Sequence, residues 1–112
     1  MPPTQTDPLS AAFGALADPT RRAIVERLSD GETAVGDLAE PFAISAPAIS
    51  RHLKVLEEAG LVARRTDRQR RIIRLQPDRL RDISGWVDRY RRCWEGKLDA
   101  LADYLEQQEN KP

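Results

Sequence analysis

The spacing of apolar residues predicts two amphipathic helices at the start of the chain. The first covers residues 8–17, where apolar side chains recur at helical steps: Leu9, Phe13 and Leu16. Asp18 begins the second helix, because its carboxylate can accept backbone N–H groups while Pro19 occupies the first helical position. Gly31 predicts the end of that helix, since glycine readily adopts the left-handed conformation found at helix C-termini.

Two short helices follow, separated by only a few residues. Thr33 can cap the first of them, which ends at Glu40 because the residue before Pro41 is pushed out of helical geometry. Ser45 can cap the second, which ends at Gly60 and whose apolar residues share one face: Ile49, Leu53 and Leu56. Their proximity and the abrupt turn between them are typical of a helix-turn-helix unit.

After Gly60 the periodicity changes from helical to extended. Residues 61–66 and 70–75 are β-prone runs separated by residues 67–69, and they predict a β-hairpin. Helical spacing then returns over residues 80–107, which would extend about 42 Å at 1.5 Å per residue. Such a helix is longer than a small domain can cover, so its apolar residues imply a partner surface: Leu80, Ile83, Val87, Tyr90, Trp94, Leu98, Leu101 and Leu105.

These elements predict a mainly α chain with a small β-hairpin, in the order of four helices, two strands and one helix. The 112 residues suffice for one core and not for two ordinary domains. We expect a single domain over residues 8–107. Residues 1–7 and 108–112 are polar, and we expect both segments to be flexible tails.

Charge placement carries a functional signal that the net charge does not. The chain has 18 basic and 18 acidic residues, which removes any argument from bulk charge. Residues 64–81, however, contain eight arginines against two aspartates. Guanidinium groups bind phosphate bidentately and fit a narrow minor groove, although arginines on a strand can also be solvated groups that prevent edge-to-edge pairing. The position of this cluster directly after the helix-turn-helix pattern favours DNA binding.

The single cysteine and the single histidine limit the available chemistry. Cys93 cannot form an intrachain disulfide, which is typical of a reduced cytoplasmic setting. We interpret Cys93 as a small residue near the apolar positions of the long helix, and an intersubunit redox switch is the less favoured alternative. No nucleophile and base occur at a recognisable spacing, so we expect no enzymatic activity. No apolar run approaches 18 residues, which argues against a membrane segment.

Two stretches of the sequence match a known family. They are ADPTRR at residues 17–22 and ISRHLKVLEEAGLV at residues 49–62, and the arginine-rich hairpin continues the match. The sequence thereby resembles the ArsR family of bacterial repressors over roughly residues 9–105. The resemblance implies a winged helix-turn-helix fold and a homodimeric transcriptional repressor of its own or a neighbouring operon.

The resemblance also implies which residues meet DNA. In a helix-turn-helix the second helix, the recognition helix, enters the major groove, and the tip of the hairpin would reach an adjacent minor groove or its phosphates. For His52 two interpretations stay open, a contact with DNA and a packed structural side chain. The expected DNA-binding residues are Ser45, Ala46, Ser50, Arg51, His52, Lys54, Arg68, Gln69 and Arg70.

An apolar surface on the first and last helices is the expected dimer interface. Dimerisation would bury side chains that a monomer exposes to water. A two-fold dimer places two recognition helices about 34 Å apart and predicts a pseudopalindromic operator. The expected interface residues are Leu9, Phe13, Leu16, Val87, Tyr90, Trp94, Leu98, Leu101 and Leu105.

Metal sensing and protein sequestration are the remaining questions of function. Metal sensors of the similar family hold the ion with a Cys-x-Cys arrangement in the first helix of the motif or with Asp, His and Glu clusters on the terminal helix. Residues 33–38 contain no thiol or imidazole and the terminal helix contains no histidine, so we expect no metal and no cofactor. The alternative function is a protein-interaction module that uses the long helix, with DNA binding weak or regulated by a sequestering partner; a small apolar effector is a further candidate ligand.

Overall fold

The computed structural model describes residues 7–110, and the predicted mainly α fold with a β-hairpin is confirmed. Residues 1–6 and 111–112, which belong to the two expected tails, lie outside the described residues. The last helix continues two residues past its predicted end. In chain order the elements are α1 (Pro8–Ala15), α2 (Pro19–Leu28), β1 (Thr33–Ala34), α3 (Val35–Ala39), α4 (Ala46–Glu58), β2 (Val62–Asp67), β3 (Arg70–Leu75) and α5 (Pro77–Glu109).

Side-chain caps begin three of the helices. The Asp18 carboxylate accepts the backbone N–H of Arg21 at 3.0 Å, and the Ser45 hydroxyl accepts the backbone N–H of Ala48 at 3.3 Å, as predicted. Asp7, which the sequence assigned to a flexible tail, instead caps α1 by accepting the backbone N–H of Ser10 at 2.9 Å. A proline lies in the first turn of each of these helices, where its missing N–H costs nothing.

The prediction that Thr33 caps a helix is wrong. Thr33 and Ala34 form β1 and pair antiparallel with β3, so that Thr33 lies opposite Ile73. Ala34 occupies the N-cap position of α3 without a side-chain hydrogen bond. The sheet therefore has three strands in the order β1-β3-β2. A strand of two residues is too short to show an alternating pattern, and only the open edge of β3 gives it a partner.

The β2–β3 hairpin, which we call the wing, closes in a tight turn. Its register runs from Val62 opposite Leu75 to Asp67 opposite Arg70, so the turn contains two residues rather than the three predicted. Arg68, the first of them, has a φ of 59°. Two-residue hairpin turns favour positive φ because this conformation matches the twist of the strands. The turn therefore holds Arg68 and Gln69 at the exposed tip of the wing.

The core lies where the first four helices meet the sheet. The apolar face predicted for α4 is buried, and the largest fully buried side chains are Ile24, Leu38, Ile49, Leu53, Leu56, Leu61 and Ile73. In contrast, α5 has no buried residue, and its side chains are exposed from Arg89 to Glu109. The molecule measures 75 × 39 × 23 Å because this helix projects beyond the domain. Within residues 7–110, no helix has the length and apolar character needed to cross a membrane.

Gly60 gives a test of the turn that ends α4. Its φ is +77°, and a Cβ atom there would lie 3.0 Å from Cγ of Arg79. We expect Gly60→Ala to lower the free energy of unfolding by roughly 1–2 kcal/mol, because a left-handed conformation is strained for alanine. Gly85→Ala in α5 is the control, since nothing lies within 4 Å of its Cβ position, and it should stabilise by up to about 1 kcal/mol. Urea unfolding measures the free energy of unfolding of both variants. Equal effects of the two substitutions would contradict a special requirement for glycine at position 60.

Candidate nucleic-acid interface

The buried face of α4 determines which of its side chains point outward. Successive residues of an α-helix are about 100° apart, so Arg51 and Lys54 lie on the side opposite the buried leucines. Both are exposed. Ala46 and Ser50 are also exposed and lie on the adjacent flank. Ser45, the N-cap, keeps its hydroxyl proton free to donate while its oxygen accepts from the backbone of the first turn.

An open cleft of about 450 Å³ brings the beginning of α4 and the wing onto one surface. The wing contributes Arg71 and two of the residues predicted to bind DNA, Gln69 and Arg70, while α4 contributes Ala46 and Ser50. An aspartate of α3 also lines this cleft. Four predicted DNA-binding residues from two separate segments therefore share one continuous surface.

Ion pairs neutralise most of the arginine cluster in residues 64–81. Arg70 pairs with Asp37 of α3 at 3.3 Å, and Arg64 pairs with Glu57 at 3.1 Å. Three further arginines, Arg65, Arg79 and Arg81, have the carboxylate partners Glu32, Asp82 and Asp78. Among residues 7–110, the cations of α4 and the wing that form no ion pair are Arg51, Lys54, Arg68, Arg71 and Arg74.

Arg71 is a member of this surface that the sequence did not predict. Residues two apart on a strand share a face, so Arg71 lies on the same face of β3 as the fully buried Ile73. That face is directed toward the helices, and Arg71 accordingly lines the cleft together with Ser50. Side chains alternate between the two faces of a strand, so counting back two residues from Ile73 could have identified Arg71. The resemblance to the family instead directed attention to the tip of the hairpin.

His52 is directed away from the cleft and toward the start of α2. Its Nδ1 atom lies 3.5 Å from Nη1 of Arg21 and 3.8 Å from Oδ2 of Asp18. The side chain is 22% exposed. His52 and Ser50 are two residues apart and occupy opposite flanks of α4, so the structure does not bring His52 together with the other predicted residues at the cleft.

Hydrogen bonding at the start of α2 changes the acidity of Asp18. The backbone N–H of Arg21 lowers the pKa of the Asp18 carboxyl below its ordinary value, and the charge of the Arg21 guanidinium adds to this effect. On the wing, a hydrogen bond to Glu32 raises the pKa of Arg65. Both groups keep their charge at neutral pH.

The expected dimer surface is largely exposed on the single chain. Phe13 of α1 is 38% exposed. Its ring packs edge-on against the ring of Trp86, with 5.3 Å between the two ring centroids. Leu9 and Leu16 are half-buried, and Leu16 packs against the core of its own domain. A line of side chains on α5, which we call the apolar seam, is between 43% and 57% exposed; it consists of the predicted Val87, Tyr90, Trp94, Leu98, Leu101 and Leu105 together with Tyr104, which was not predicted.

The single thiol is accessible, and no cluster of metal-ligand side chains forms in the described part of the chain. Cys93 is exposed on α5. Within residues 7–110, no three His, Cys, Asp or Glu side chains come together in a way that could hold a metal ion.

The fold and the surface together define a winged helix-turn-helix transcriptional regulator. Residues 16–65 match a helix-turn-helix domain family. The HTH-type transcriptional regulator Rv2034 of Mycobacterium tuberculosis is 45% identical over 85% of this chain and 86% of its own length. The arsenical resistance operon repressor of Escherichia coli is 39% identical over 86% of this chain and 83% of its own. A crystal structure of the ArsR family regulator RHA00566 aligns with a TM-score of 0.73 at 32% identity, covering 80% of this chain and 98% of that one.

The chain belongs to the ArsR family of transcriptional regulators. This finding confirms the family, the winged helix-turn-helix fold and the DNA-binding regulatory function that the sequence predicted. The family consists of regulators and not of enzymes, as the sequence also predicted.

The lowered pKa of Asp18 predicts an acid-dependent loss of stability. The carboxylate is more acidic in the folded than in the unfolded chain, so its contribution is present above its ordinary pKa of 3.8 and is lost as the pH falls through the folded value. The unfolding free energy of Asp18→Asn should therefore fall less steeply in this acid range than that of the wild type. Denaturant unfolding at a series of pH values measures this difference. If the unfolding free energies of the two proteins depended on pH in the same way, Asp18 would not be the source of the acid-dependent loss.

Proposed function

We propose that the protein is a homodimeric repressor that blocks transcription by occupying a pseudopalindromic operator. The main support for this proposal is that the exposed start of α4 and the wing line the same cleft. The major groove of DNA is wide enough to admit an α-helix, and a wing beside that helix reaches the neighbouring backbone or minor groove. The repressor named for arsenical resistance in Escherichia coli supports repression of an operon as the mode of action.

The residues divide into those that position the protein and those that read bases. Arg51 and Lys54 lie at the centre of the outward face of α4, where a guanidinium or ammonium can bond guanine in the major groove. Ser50 contacts a base or a phosphate, and Ser45 with Ala46 at the N-terminus of α4 receives a phosphate. The wing contributes backbone and minor-groove contacts through Arg68, Gln69, Arg70 and Arg71.

Arg70 reaches DNA only by exchanging one anion for another. Its ion pair with Asp37 is exposed on both sides, and such pairs contribute little to stability. A phosphate that enters the cleft can therefore replace the carboxylate at small cost. Arg68 and Arg71 form no ion pair among the described residues and need no such exchange.

A second copy of the chain is the partner that we propose for the apolar seam. Phe13 of α1 contacts Trp86, which stacks on Tyr90 of the seam, and every side chain of α5 from Arg89 to Glu109 is exposed on the single chain. A two-fold pairing buries the same residues on both copies and presents two copies of α4 to one face of a duplex. A sequestering protein or a small apolar effector would relieve repression by competing for this seam, in the cytoplasm where the operator lies.

The salt dependence of operator binding tests the role of the wing. We expect Arg68→Gln with Arg71→Gln to lower affinity and to reduce the slope of log K against log salt by about 0.9 for each phosphate that the variant no longer neutralises. Arg89→Gln with Arg92→Gln removes the same charge from the exposed part of α5 and should leave the slope nearly unchanged. Mobility-shift titrations against the upstream region of the gene at several salt concentrations measure both pairs. Equal slopes for the two variants would contradict the assignment of the wing to DNA.

Substitution within the apolar seam tests the proposed dimer. Leu101→Glu places a charge at a position that is 52% exposed in the single chain and would be covered in the dimer. We expect this variant to sediment as a monomer at concentrations where the wild type is a dimer, because an unpaired charge is costly to bury. Gln107→Glu, which lies away from the seam on the same helix, is the matched control and should remain dimeric. A dimeric Leu101→Glu would show that the interface lies elsewhere.

A further inference from the structure

Arg21 joins three elements of the domain. Its Nε donates to the carbonyl of Ala15, and its Nη2 donates to the carbonyl of Gly14 at 3.3 Å. These carbonyls lie at the C-terminus of α1, where the helix dipole favours a cation. The remaining nitrogen, Nη1, lies 3.5 Å from Nδ1 of His52 on α4. One half-buried side chain of α2 thus binds both the helix that carries part of the expected dimer surface and the recognition helix.

The contact with Arg21 determines which ring nitrogen of His52 carries the proton. A guanidinium has only donors, so an imidazole nitrogen that faces it within hydrogen-bonding distance must accept. The competing group is Asp18, but its Oδ2 lies farther from Nδ1, at 3.8 Å, and already accepts the backbone N–H of Arg21. Neutral His52 therefore has its lone pair on Nδ1 and its proton on Nε2.

The Nε2 atom of His52 is open to solvent. Within residues 7–110, no buried side-chain nitrogen or oxygen is without a hydrogen-bond partner. Nε2 makes no hydrogen bond to the described residues, whereas Nδ1 is satisfied by Arg21. A ring nitrogen that has no partner and is not buried is in contact with solvent, so the Nε2 proton is accessible.

We infer that Arg21 is a positioning residue that holds His52 so that its Nε2–H donates to a backbone phosphate of the operator. The inference rests on the proposed placement of α4 in the major groove. His52 is about 100° around the helix from Arg51, on the flank rather than at the centre of the outward face. The flanks of a helix in the groove face the sugar-phosphate walls, so a donor there meets phosphate and not a base edge.

The charges around His52 are compatible with an incoming phosphate. Among the described residues, Asp18 is the acidic group that forms an ion pair with the ring, and the nearby guanidinium of Arg21 offsets part of its negative charge. Arg21 therefore serves two purposes at this point. It orients the imidazole, and it reduces the repulsion that the Asp18 carboxylate would exert on a phosphate.

A methylphosphonate scan of the operator tests the contact directly. Replacing one phosphate at a time removes its charge and weakens its acceptor, and we expect one position per half-site to depend on His52. At this position the wild type should lose about 2- to 10-fold in affinity, the range of a single hydrogen bond. His52→Phe, which keeps a packed ring without a donor, should bind the unmodified operator more weakly by the same factor and be insensitive to that methylphosphonate. His52→Gln, which has both an acceptor and a donor, should restore the sensitivity.

Two arginine variants separate positioning from general support. Arg21→Gln should lose the same methylphosphonate sensitivity although His52 is still present. Arg22→Gln is the matched control, because Arg22 is the next residue, carries the same charge and donates to the carbonyl of Leu16 at 2.7 Å rather than to His52. It should keep the wild-type profile. Thermal unfolding and sedimentation establish that each variant is a folded dimer.

The outcomes distinguish this inference from the proposed function. A wild-type protein that binds no operator would remove the proposed function itself. Operator binding with the same methylphosphonate profile in the wild type and in His52→Phe would overturn only the phosphate contact. Loss of the sensitive position in Arg22→Gln as well as in Arg21→Gln would overturn the special role of Arg21, since attachment to α1 would then explain both results.

Discussion

The burial of one face of α4 is the constraint on which the rest of the molecule depends. Ile49, Leu53 and Leu56 are fully enclosed by the other helices and the sheet, which prevents the helix from rotating about its axis. Removing a large aliphatic side chain from such a core costs about 2–5 kcal/mol. The same burial directs Arg51 and Lys54 outward. Packing in the core thereby determines which side chains α4 presents at the candidate DNA interface.

Ion pairing then determines which cations of this electrically neutral chain keep a charge that can bind an external anion. The arginines of residues 64–81 do not act as a uniform positive patch, because carboxylates pair with most of them. Three of these pairs, formed by Arg64, Arg65 and Arg70 with Glu57, Glu32 and Asp37, attach the wing to the body of the domain. Among the described residues, Arg68, Arg71 and Arg74 of this cluster form no ion pair. A balanced composition can therefore coexist with a localised surface of unpaired cations, which is the surface that we propose binds phosphate.

Local signals in the sequence predicted most of the fold and the exposed side of α4. Asp18 and Ser45 cap their helices as expected, because capping depends on residues only three positions apart. Strand β1 was missed, since its partner β3 is about forty residues away and two residues have no period of their own. The site was predicted less completely. Alternation along β3 indicates the face on which Arg71 lies, but what that face meets depends on how the wing packs against α3 and α4. The orientation of His52 depends on Arg21, 31 positions earlier.

The projection of α5 connects the proposed dimer interface to the candidate DNA interface. Its exposed apolar seam gives the single chain a surface that water disfavours, so a partner that covers the seam stabilises the folded state increasingly as its concentration rises. α1 packs on this helix through Phe13 and Trp86, and the carbonyls that end α1 bind Arg21, which contacts His52 on α4. The surface that we propose joins two copies and the helix that we propose meets DNA are therefore connected by direct contacts within one small domain. We therefore expect a substitution in α1 that moves Arg21 to alter both dimer formation and operator affinity, because Arg21 contacts α1 and His52 directly.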